Sequence, residues 1–157
     1  MNTHNNMGKT LASLVAGIPK ADLRHLFVHP INPNVDNCDS YFRITDYEVL
    51  KSLVPFHGGK IGKQVVWRQS EHSVNDLDIE KKTTKKAYAI GEKRTSLIYL
   101  ARNTMWRLSR WYTDELKSWI REFSPDVIFF AAGDYAFAYD IAYTIAKDFH
   151  IPIVMYI

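Results

Sequence analysis

The chain has 157 residues, of which 46% are hydrophobic, and its formal net charge is +3 at neutral pH. This length predicts one domain with a core of ordinary size, and the small positive charge favours anionic partners without indicating a nucleic-acid-binding surface. Neither an apolar run of about 18 residues nor the apolar segment of a signal peptide is present, so no membrane span or secretion signal is predicted. Cys38 is the only cysteine, which excludes an internal disulfide and fits a reducing, cytoplasmic location.

The chain is predicted to open with a helix followed by a strand. The helix is expected to begin near Lys9 or Thr10, because apolar residues then recur at helical spacing, at Leu11, Leu14, Val15 and Ile18. Gly17 and Pro19 would end it, and residues 23–29 are predicted as a strand followed by a proline-containing loop. Since a parallel α/β domain normally opens with a strand, we expect a first strand to be missing ahead of Asn2.

The middle of the chain gives weaker signals. Residues 41–44 predict a short strand, and Thr45 with Glu48 forms a capping box at the start of a helix over residues 46–53. The loop His57-Gly58-Gly59-Lys60 favours a surface turn over an anion or acceptor site. Residues 65–67 are apolar but few, and the polar residues 68–86 predict no element.

Two helices are predicted next. A helical pattern begins near Thr95 and reaches Trp111, with apolar residues at Leu97, Ile98, Leu100, Ala101, Met105 and Leu108. Thr113 is a predicted N-cap for the second helix, because Asp114 and Glu115 then fall in its first turn and complement the helix dipole.

The C-terminal segment, residues 124–157, predicts a strand–helix–strand unit. Residues 126–132 form an almost uninterrupted apolar run, as expected of a strand buried on both faces, and residues 153–157 repeat this pattern. Between them an amphipathic helix is predicted from Ala136 to the stop at His150-Ile151-Pro152. Parallel strands joined in this way bind ligands beyond their carboxyl ends, which directs attention to residues 132–135.

The C-terminal pattern resembles a known enzyme family. Ser124-Pro125-Asp126-Val127-Ile128, followed by a loop, a helix and an Ile-Pro-Ile-Val strand, is similar to the fourth and fifth strands of GT-B glycosyltransferases of the family 4 type. Trp106, Trp111 and Trp119 ahead of it resemble the spacing in bacterial enzymes of surface-polysaccharide synthesis. The segment Asn5-Asn6-Met7-Gly8-Lys9-Thr10 resembles that family's glycine loop after the first strand.

The resemblance implies a fold and a function. The fold would be α/β, a Rossmann-like parallel sheet with helices on both faces, and residues 1–157 would form a single domain: the N-terminal, acceptor-side lobe of a GT-B enzyme. The first strand and the C-terminal donor lobe would be missing. The intact enzyme, a glycosyltransferase of the hexosyltransferase type, would transfer a sugar from a nucleotide-sugar donor to a glycan or lipid-linked acceptor in polysaccharide biosynthesis. We expect this fragment alone to transfer no sugar, since the family's glutamate-containing donor motif lies in the other lobe.

A second interpretation stays open. The same elements suit a non-enzymatic Rossmann-like or flavodoxin-like module that binds a nucleotide or a protein. Neither interpretation calls for a cofactor, because the nucleotide-sugar is a substrate. No metal is implied either, since the six histidines, Cys38 and the acidic residues lack zinc-type spacing.

The candidate site residues fall in two groups. Asn6, Gly8 and Lys9 are predicted to form a loop entering a helix, and the resemblance places this loop at the donor diphosphate; an ordinary turn with a solvated Lys9 is the alternative. The acceptor side of the cleft would be lined by residues at strand ends: His29, Gly133, Asp134 and Tyr135. Asp134 is a candidate general base, with capping of the following helix as its alternative role; the catalytic residues are otherwise unknown.

A basic run precedes the long helix, at Lys81, Lys82, Lys85, Lys86, Lys93 and Arg94. Such a run is commonly a solvated face, and in this setting it also predicts peripheral contact with an anionic membrane surface at the inner face of the membrane. The tryptophans are expected in the core rather than on a base-stacking surface, because their spacing is helical, so no nucleic-acid partner is predicted.

Overall fold

The computed structural model describes residues 6–29, 36–54, 59–65 and 96–156. Within these ranges the helices are α1 (Asn6–Leu14), α2 (Asp46–Ser52), α3 (Ser96–Leu108), α4 (Asp114–Phe123) and α5 (Ala136–Phe149), and the strands are β1 (Arg24–Phe27), β2 (Ser40–Arg43), β3 (Lys63–Val65), β4 (Ile128–Ala131) and β5 (Ile153–Tyr156). The predicted proline loop after β1, residues 57 and 58 of the glycine–lysine loop, and the basic run at residues 81–94 lie outside the described residues.

Local sequence signals fix the starts of two helices. At α2, the Thr45 hydroxyl accepts a hydrogen bond from the Glu48 amide at 3.3 Å, and the Thr45 amide donates to Glu48 Oε2 at 2.8 Å. This reciprocal pair is the predicted capping box. At α4, the Thr113 hydroxyl accepts from the Leu116 amide at 3.3 Å, which confirms the second predicted cap.

Backbone conformation ends two helices. Ser124 and His150 follow α4 and α5 with φ angles of 50° and 58°, the left-handed conformation that closes a helix. Pro152 then prevents α5 from continuing, as predicted. Helix α1 differs from the prediction, since it begins at Asn6 rather than near Lys9. Polar residues can occupy a first helical turn without an apolar partner, so hydrophobic periodicity does not locate such a start.

The strands form two small sheets. In the first, β1 runs parallel to β2, with Arg24 opposite Ser40, and β3 runs antiparallel to β2. In the second, β4 runs parallel to β5, with Ile128 opposite Ile153. The molecule is therefore a mixed α/β protein with parallel strand pairs. The expected single parallel sheet is not found among the described residues, because β3 is antiparallel and no backbone ladder there joins β1 to β4.

Helix α4 packs against the first sheet and leads along the chain into β4. The Trp119 indole nitrogen donates to the Ser40 hydroxyl at 2.8 Å, and Arg24 Nη1 donates to the Trp119 carbonyl at 2.5 Å. The Arg24 guanidinium also lies over the Phe123 ring, 5.1 Å from its centre. Since Phe123 ends α4, the chain enters β4 from the β1 side of the three-stranded sheet.

The core lies between the first sheet and helices α3, α4 and α5. Its buried members are Phe42, Ile44, Val49, Ile61, Trp106, Trp111, Leu116, Trp119, Ile120, Phe137, Ile141 and Ile145. The three tryptophans among them confirm the prediction that these residues pack in the core.

Among the residues that the structure describes, the β4–β5 pair is covered on one side only. Phe130 faces α5, where its ring contacts Tyr139 at 5.0 Å between centroids. Phe129 and its register partner Val154 point the other way and are 43% and 51% exposed. The prediction that these strands are buried on both faces is therefore wrong: an apolar run favours a strand, but it does not supply the second layer that would cover it.

Candidate functional site

The carboxyl ends of the strands meet at an arginine from α3. Arg102 Nε lies 3.1 Å from Asp46 Oδ1, and Arg102 Nη2 lies 2.9 Å from Asp46 Oδ2. Asp46 begins α2, three residues after β2 ends, so it belongs to the carboxyl end of the first sheet. The two contacts form a bidentate pair, which fixes the plane of the guanidinium group.

The same guanidinium reaches the second sheet. Its central carbon lies 4.1 Å from the centre of the Tyr135 ring and 4.8 Å from that of Phe137. Tyr135 follows β4, and its ring contacts two others, Tyr99 stacked at 5.2 Å and Phe137 tilted at 5.5 Å. Arg102 is therefore held by a carboxylate from one sheet and by aromatic faces from the other, through charge pairing and cation–π attraction.

One face of helix α3 supplies four of the side chains that meet around Arg102. Its contributing residues recur at i, i+3, i+4 and i+7, as Tyr99, Arg102, Asn103 and Trp106. The Trp106 indole nitrogen donates to Asp46 Oδ1 at 2.7 Å, and Asn103 Oδ1 accepts from the Phe137 amide at 3.2 Å. We name this group the Arg102 cluster: Asp46, Tyr99, Arg102, Asn103, Trp106 and Tyr135.

His29 lies at the same edge of the molecule, two residues beyond β1. Desolvation and the nearby positive charge of Arg102 lower its pKa, against an opposing effect of Asp46. The lowered pKa favours the neutral imidazole at pH 7. A neutral imidazole can both accept and donate a hydrogen bond, which suits contact with a ligand hydroxyl.

Gly133 and Asp134 follow β4, just before Tyr135. Both are exposed, and a side-chain carbon added at Gly133 would meet no atom within 4 Å. The alternative role of Asp134 as a helix cap is wrong, because α5 has Tyr135 at its N-cap position without a side-chain cap, and Asn103 binds the Phe137 amide instead. Within the described chain the Asp134 carboxylate has no hydrogen-bond partner, so its role as a base stays a prediction.

The predicted phosphate residues occupy a different setting from the one expected. Asn6, Gly8 and Lys9 belong to the first turn of α1, not to a loop ahead of it, because the helix begins earlier than its apolar periodicity indicates. Gly8 is buried and Lys9 is exposed. Their contact with a donor phosphate remains a prediction.

A pocket of about 230 Å³ adjoins the Arg102 cluster between α3 and α5. It shares Trp106 and Phe137 with the surroundings of Arg102, and it is also lined by Arg107, Trp111, Asp140, Tyr143 and Thr144. Its walls combine aromatic rings with a few polar groups, so it can contact both apolar surface and hydrogen-bonding groups of a bound molecule.

Sequence reasoning did not identify Asp46, Arg102, Asn103 or the pocket. Their contacts join residues 34 to 60 positions apart, which no local pattern reveals. One signal was present: Arg102 and Asn103 interrupt the face of α3 that also carries the buried Trp106. Polar residues on a buried face require partners, so this position indicates a polar cluster.

Among the described residues, no group of three or more His, Cys, Asp or Glu side chains is arranged to hold a metal ion, and no helix is long and apolar enough to cross a bilayer. Comparison of the chain with protein-family models, curated proteins and solved structures finds no match.

Proposed function

We propose that the chain forms the acceptor-side lobe of a GT-B glycosyltransferase of bacterial surface-polysaccharide synthesis. The intact enzyme transfers a sugar from a nucleotide-sugar to a hydroxyl of a glycan or lipid-linked acceptor. The observation that carries the proposal is the convergence of the carboxyl ends of both sheets on Arg102, through Asp46 and Tyr135. Open α/β sheets bind ligands at this edge.

The residues around this edge suit a hydroxyl-bearing acceptor. The pocket beside Trp106 offers aromatic walls, and the exposed Tyr143 and Asp140 lie at its lining. Asp134 is the candidate base, because its carboxylate is exposed and has no hydrogen-bond partner in the described chain. A base must come within about 3 Å of the hydroxyl it activates, so the acceptor would extend from the pocket towards the end of β4.

The donor belongs mainly to the other lobe in this proposal. Lys9, exposed in the first turn of α1, would add a positive charge near the donor diphosphate, where the helix dipole has the same sign. In this proposal the acceptor binds to the lobe that residues 1–157 form, and sugar transfer requires donor-binding residues of the second lobe as well.

Ligand-observed NMR tests the proposal. The probes are short hexose oligosaccharides, an alkyl-linked monosaccharide that imitates a lipid-linked acceptor, UDP-hexoses, and free UMP. We expect saturation transfer to the saccharide protons, reduced at least threefold by Tyr143→Ala and by Asp134→Asn. The matched controls are Tyr47→Ala, at an exposed tyrosine of α2, and Asp126→Asn, at an exposed aspartate before β4; both should bind like the wild type.

Three outcomes would contradict the proposal. Absence of saccharide binding would remove the acceptor site, and binding of UMP without any saccharide would favour the nucleotide-binding module. Sugar transfer by the 157-residue chain alone would contradict its assignment as one lobe.

A further inference from the structure

The guanidinium group of Arg102 has two edges that can donate a pair of parallel hydrogen bonds, and Asp46 occupies one of them. Arg102 Nε lies 3.1 Å from Asp46 Oδ1 and Nη2 lies 2.9 Å from Asp46 Oδ2, so the ion pair uses the side edge. The end edge consists of Nη1 and the second hydrogen of Nη2. Among residues 6–29, 36–54, 59–65 and 96–156, no oxygen accepts a hydrogen bond from Nη1.

The end edge of Arg102 is accessible but already oriented. The side chain is 21% exposed, and its Nη1 is not one of the buried atoms without a hydrogen-bond partner in the described chain. Asp46 fixes the plane of the guanidinium group, and the rings of Tyr135 and Phe137 lie 4.1 and 4.8 Å from its central carbon. A ligand that binds this edge therefore orders the side chain little further, which lowers the entropic cost of binding.

The shape of this edge favours a carboxylate. Arginine binds carboxylates and phosphates through two parallel hydrogen bonds, whereas a neutral hydroxyl offers a single oxygen. A planar carboxylate can lie in the guanidinium plane, away from the Tyr135 ring, whose face carries partial negative charge. A tetrahedral phosphate directs further oxygens out of that plane.

The charges around Arg102 permit a second anion beside Asp46. The pKa of His29 is lowered mainly by desolvation, and at His29 the effect of the Arg102 charge exceeds the opposing effect of Asp46, so the ion pair presents a net positive potential in that direction. The Trp106 indole nitrogen also donates to Asp46 Oδ1 at 2.7 Å and offsets part of the carboxylate charge. Asp134 is exposed, so water and salt weaken its repulsion of a bound anion.

We propose that the candidate site selects a saccharide that carries a carboxylate, a uronic acid, and that Arg102 is the residue that recognises it. The carboxylate accepts hydrogen bonds from Nη1 and Nη2 at the end edge, while Asp46 keeps the side edge. The adjoining pocket shares Trp106 and Phe137 with the surroundings of Arg102, and it can receive the rest of the saccharide. This inference rests on the proposed function, since it names the class of acceptor that the lobe binds.

Titration of matched monosaccharides, followed by ligand-observed NMR, tests the inference. The probes are methyl glucuronide, methyl glucoside with a hydroxymethyl group in place of the carboxylate, methyl glucuronamide with a neutral amide there, and glucose 6-phosphate. We expect the glucuronide to bind about tenfold more tightly than the glucoside or the amide, because only its carboxylate accepts two charge-assisted hydrogen bonds. This preference should decrease as the salt concentration rises.

Two arginine variants separate the shape of the guanidinium group from its charge. Arg102→Lys keeps a positive charge beside Asp46 but has no planar fork, so it should weaken glucuronide binding about tenfold and change glucoside binding by less than about twofold. The matched control is Arg110→Lys, at an exposed arginine beyond the end of α3, and it should bind every probe like the wild type. Circular dichroism identifies a variant that fails to fold, in which case the comparison of glucuronide with amide on the wild-type chain decides.

The possible outcomes separate this inference from the proposed function. Equal affinity for the glucuronide and the glucoside overturns carboxylate recognition and leaves a saccharide site in place. Tighter binding of glucose 6-phosphate than of the glucuronide overturns it in favour of a phosphate. An unchanged preference for the glucuronide in a folded Arg102→Lys variant excludes Arg102 as the residue that recognises the carboxylate. Failure of every saccharide to bind contradicts the proposed function and this inference together.

Discussion

Arg102 and Asp46 form a bidentate ion pair that joins the two sheets of the molecule at their carboxyl ends. Asp46 is held by three contacts, two from the Arg102 guanidinium and one from the Trp106 indole nitrogen. The pair therefore contributes to the stability of the fold as well as to the proposed site. Its removal should change both the free energy of unfolding and ligand binding.

The substitution Asp46→Ala should destabilise the protein by about 1–3 kcal/mol, because it leaves the indole N–H of Trp106, a residue only 1% exposed, without its acceptor. Asp46→Asn should cost less, since an amide oxygen can still accept this hydrogen bond. Urea unfolding followed by fluorescence measures both. Asp126→Ala, at an exposed aspartate, is the control, and an equal loss in the control would contradict the explanation.

The buried Ser40 hydroxyl should stabilise the fold for the same reason as Asp46, because it accepts a hydrogen bond from a buried tryptophan. Ser40→Ala removes the oxygen that accepts from Trp119 Nε1 at 2.8 Å and from Gln64 Nε2 at 3.0 Å. We expect a loss of about 1–3 kcal/mol, because the Trp119 donor is buried. Ser118→Ala, exposed on α4, is the matched control and should stay within about 0.5 kcal/mol of the wild type in the same unfolding measurement.

Gly62 should not tolerate a side chain. Its φ angle is +77°, and an added Cβ would lie 2.5 Å from Phe42 Cε1 and 3.1 Å from Ile44 Cγ1, both in the core. Gly62→Ala is therefore expected to cost about 2–4 kcal/mol through backbone strain and overpacking. Gly17→Ala, where no atom lies within 4 Å, is the control. Melting curves that show equal stability for the two variants would count against this packing.

Acid should weaken the fold through His25. Burial lowers the pKa of His25 from 6.5 to about 3 in the folded protein, so the unfolded chain binds the extra proton between these values. Stability is then complete above pH 6.5 and falls as the pH drops towards 3, by at most about 1.4 kcal/mol per pH unit for one proton. His29 acts in the same direction, since its pKa is also lowered.

The test compares His25→Phe with the wild type in urea at pH 7, 6 and 5. The substitution keeps a ring beside Phe27 and Tyr41, and it should reduce the pH dependence of the free energy of unfolding. The control is His150→Asn, at an exposed position whose left-handed backbone accepts asparagine. An unchanged slope in His25→Phe would exclude His25 as a source of the dependence.

The sequence was sufficient to predict helix boundaries and buried helix faces, because these depend on neighbouring residues along the chain. Thr45 with Glu48, Thr113, and Pro152 each act within four residues, and the structure confirms the helix boundaries they predict. The amphipathic stripe of α5 was equally local: Ile141, Ala142 and Ile145 are buried as expected.

Contacts between residues far apart in the chain could not be predicted from these local patterns. The pairing of Arg102 with Asp46 depends on how α3 packs against α2, and the exposure of Phe129 depends on a layer that an apolar run does not specify. Among the predicted site residues, Tyr135 lies over the Arg102 guanidinium, and Asp134 precedes it in the chain. Asn6, Gly8 and Lys9 are in a helix instead of the expected loop.

The two sheets are connected by side chains rather than by a shared backbone ladder. Within the described chain, Arg102 joins the α2 end of the first sheet to Tyr135, which follows β4 in the second. A rotation of one sheet relative to the other about α4 would break no strand hydrogen bond. Such a rotation would separate Arg102 from Asp46 and disturb the core that Phe42 and Phe137 share, so the arrangement of the candidate site depends on side-chain packing rather than on backbone pairing.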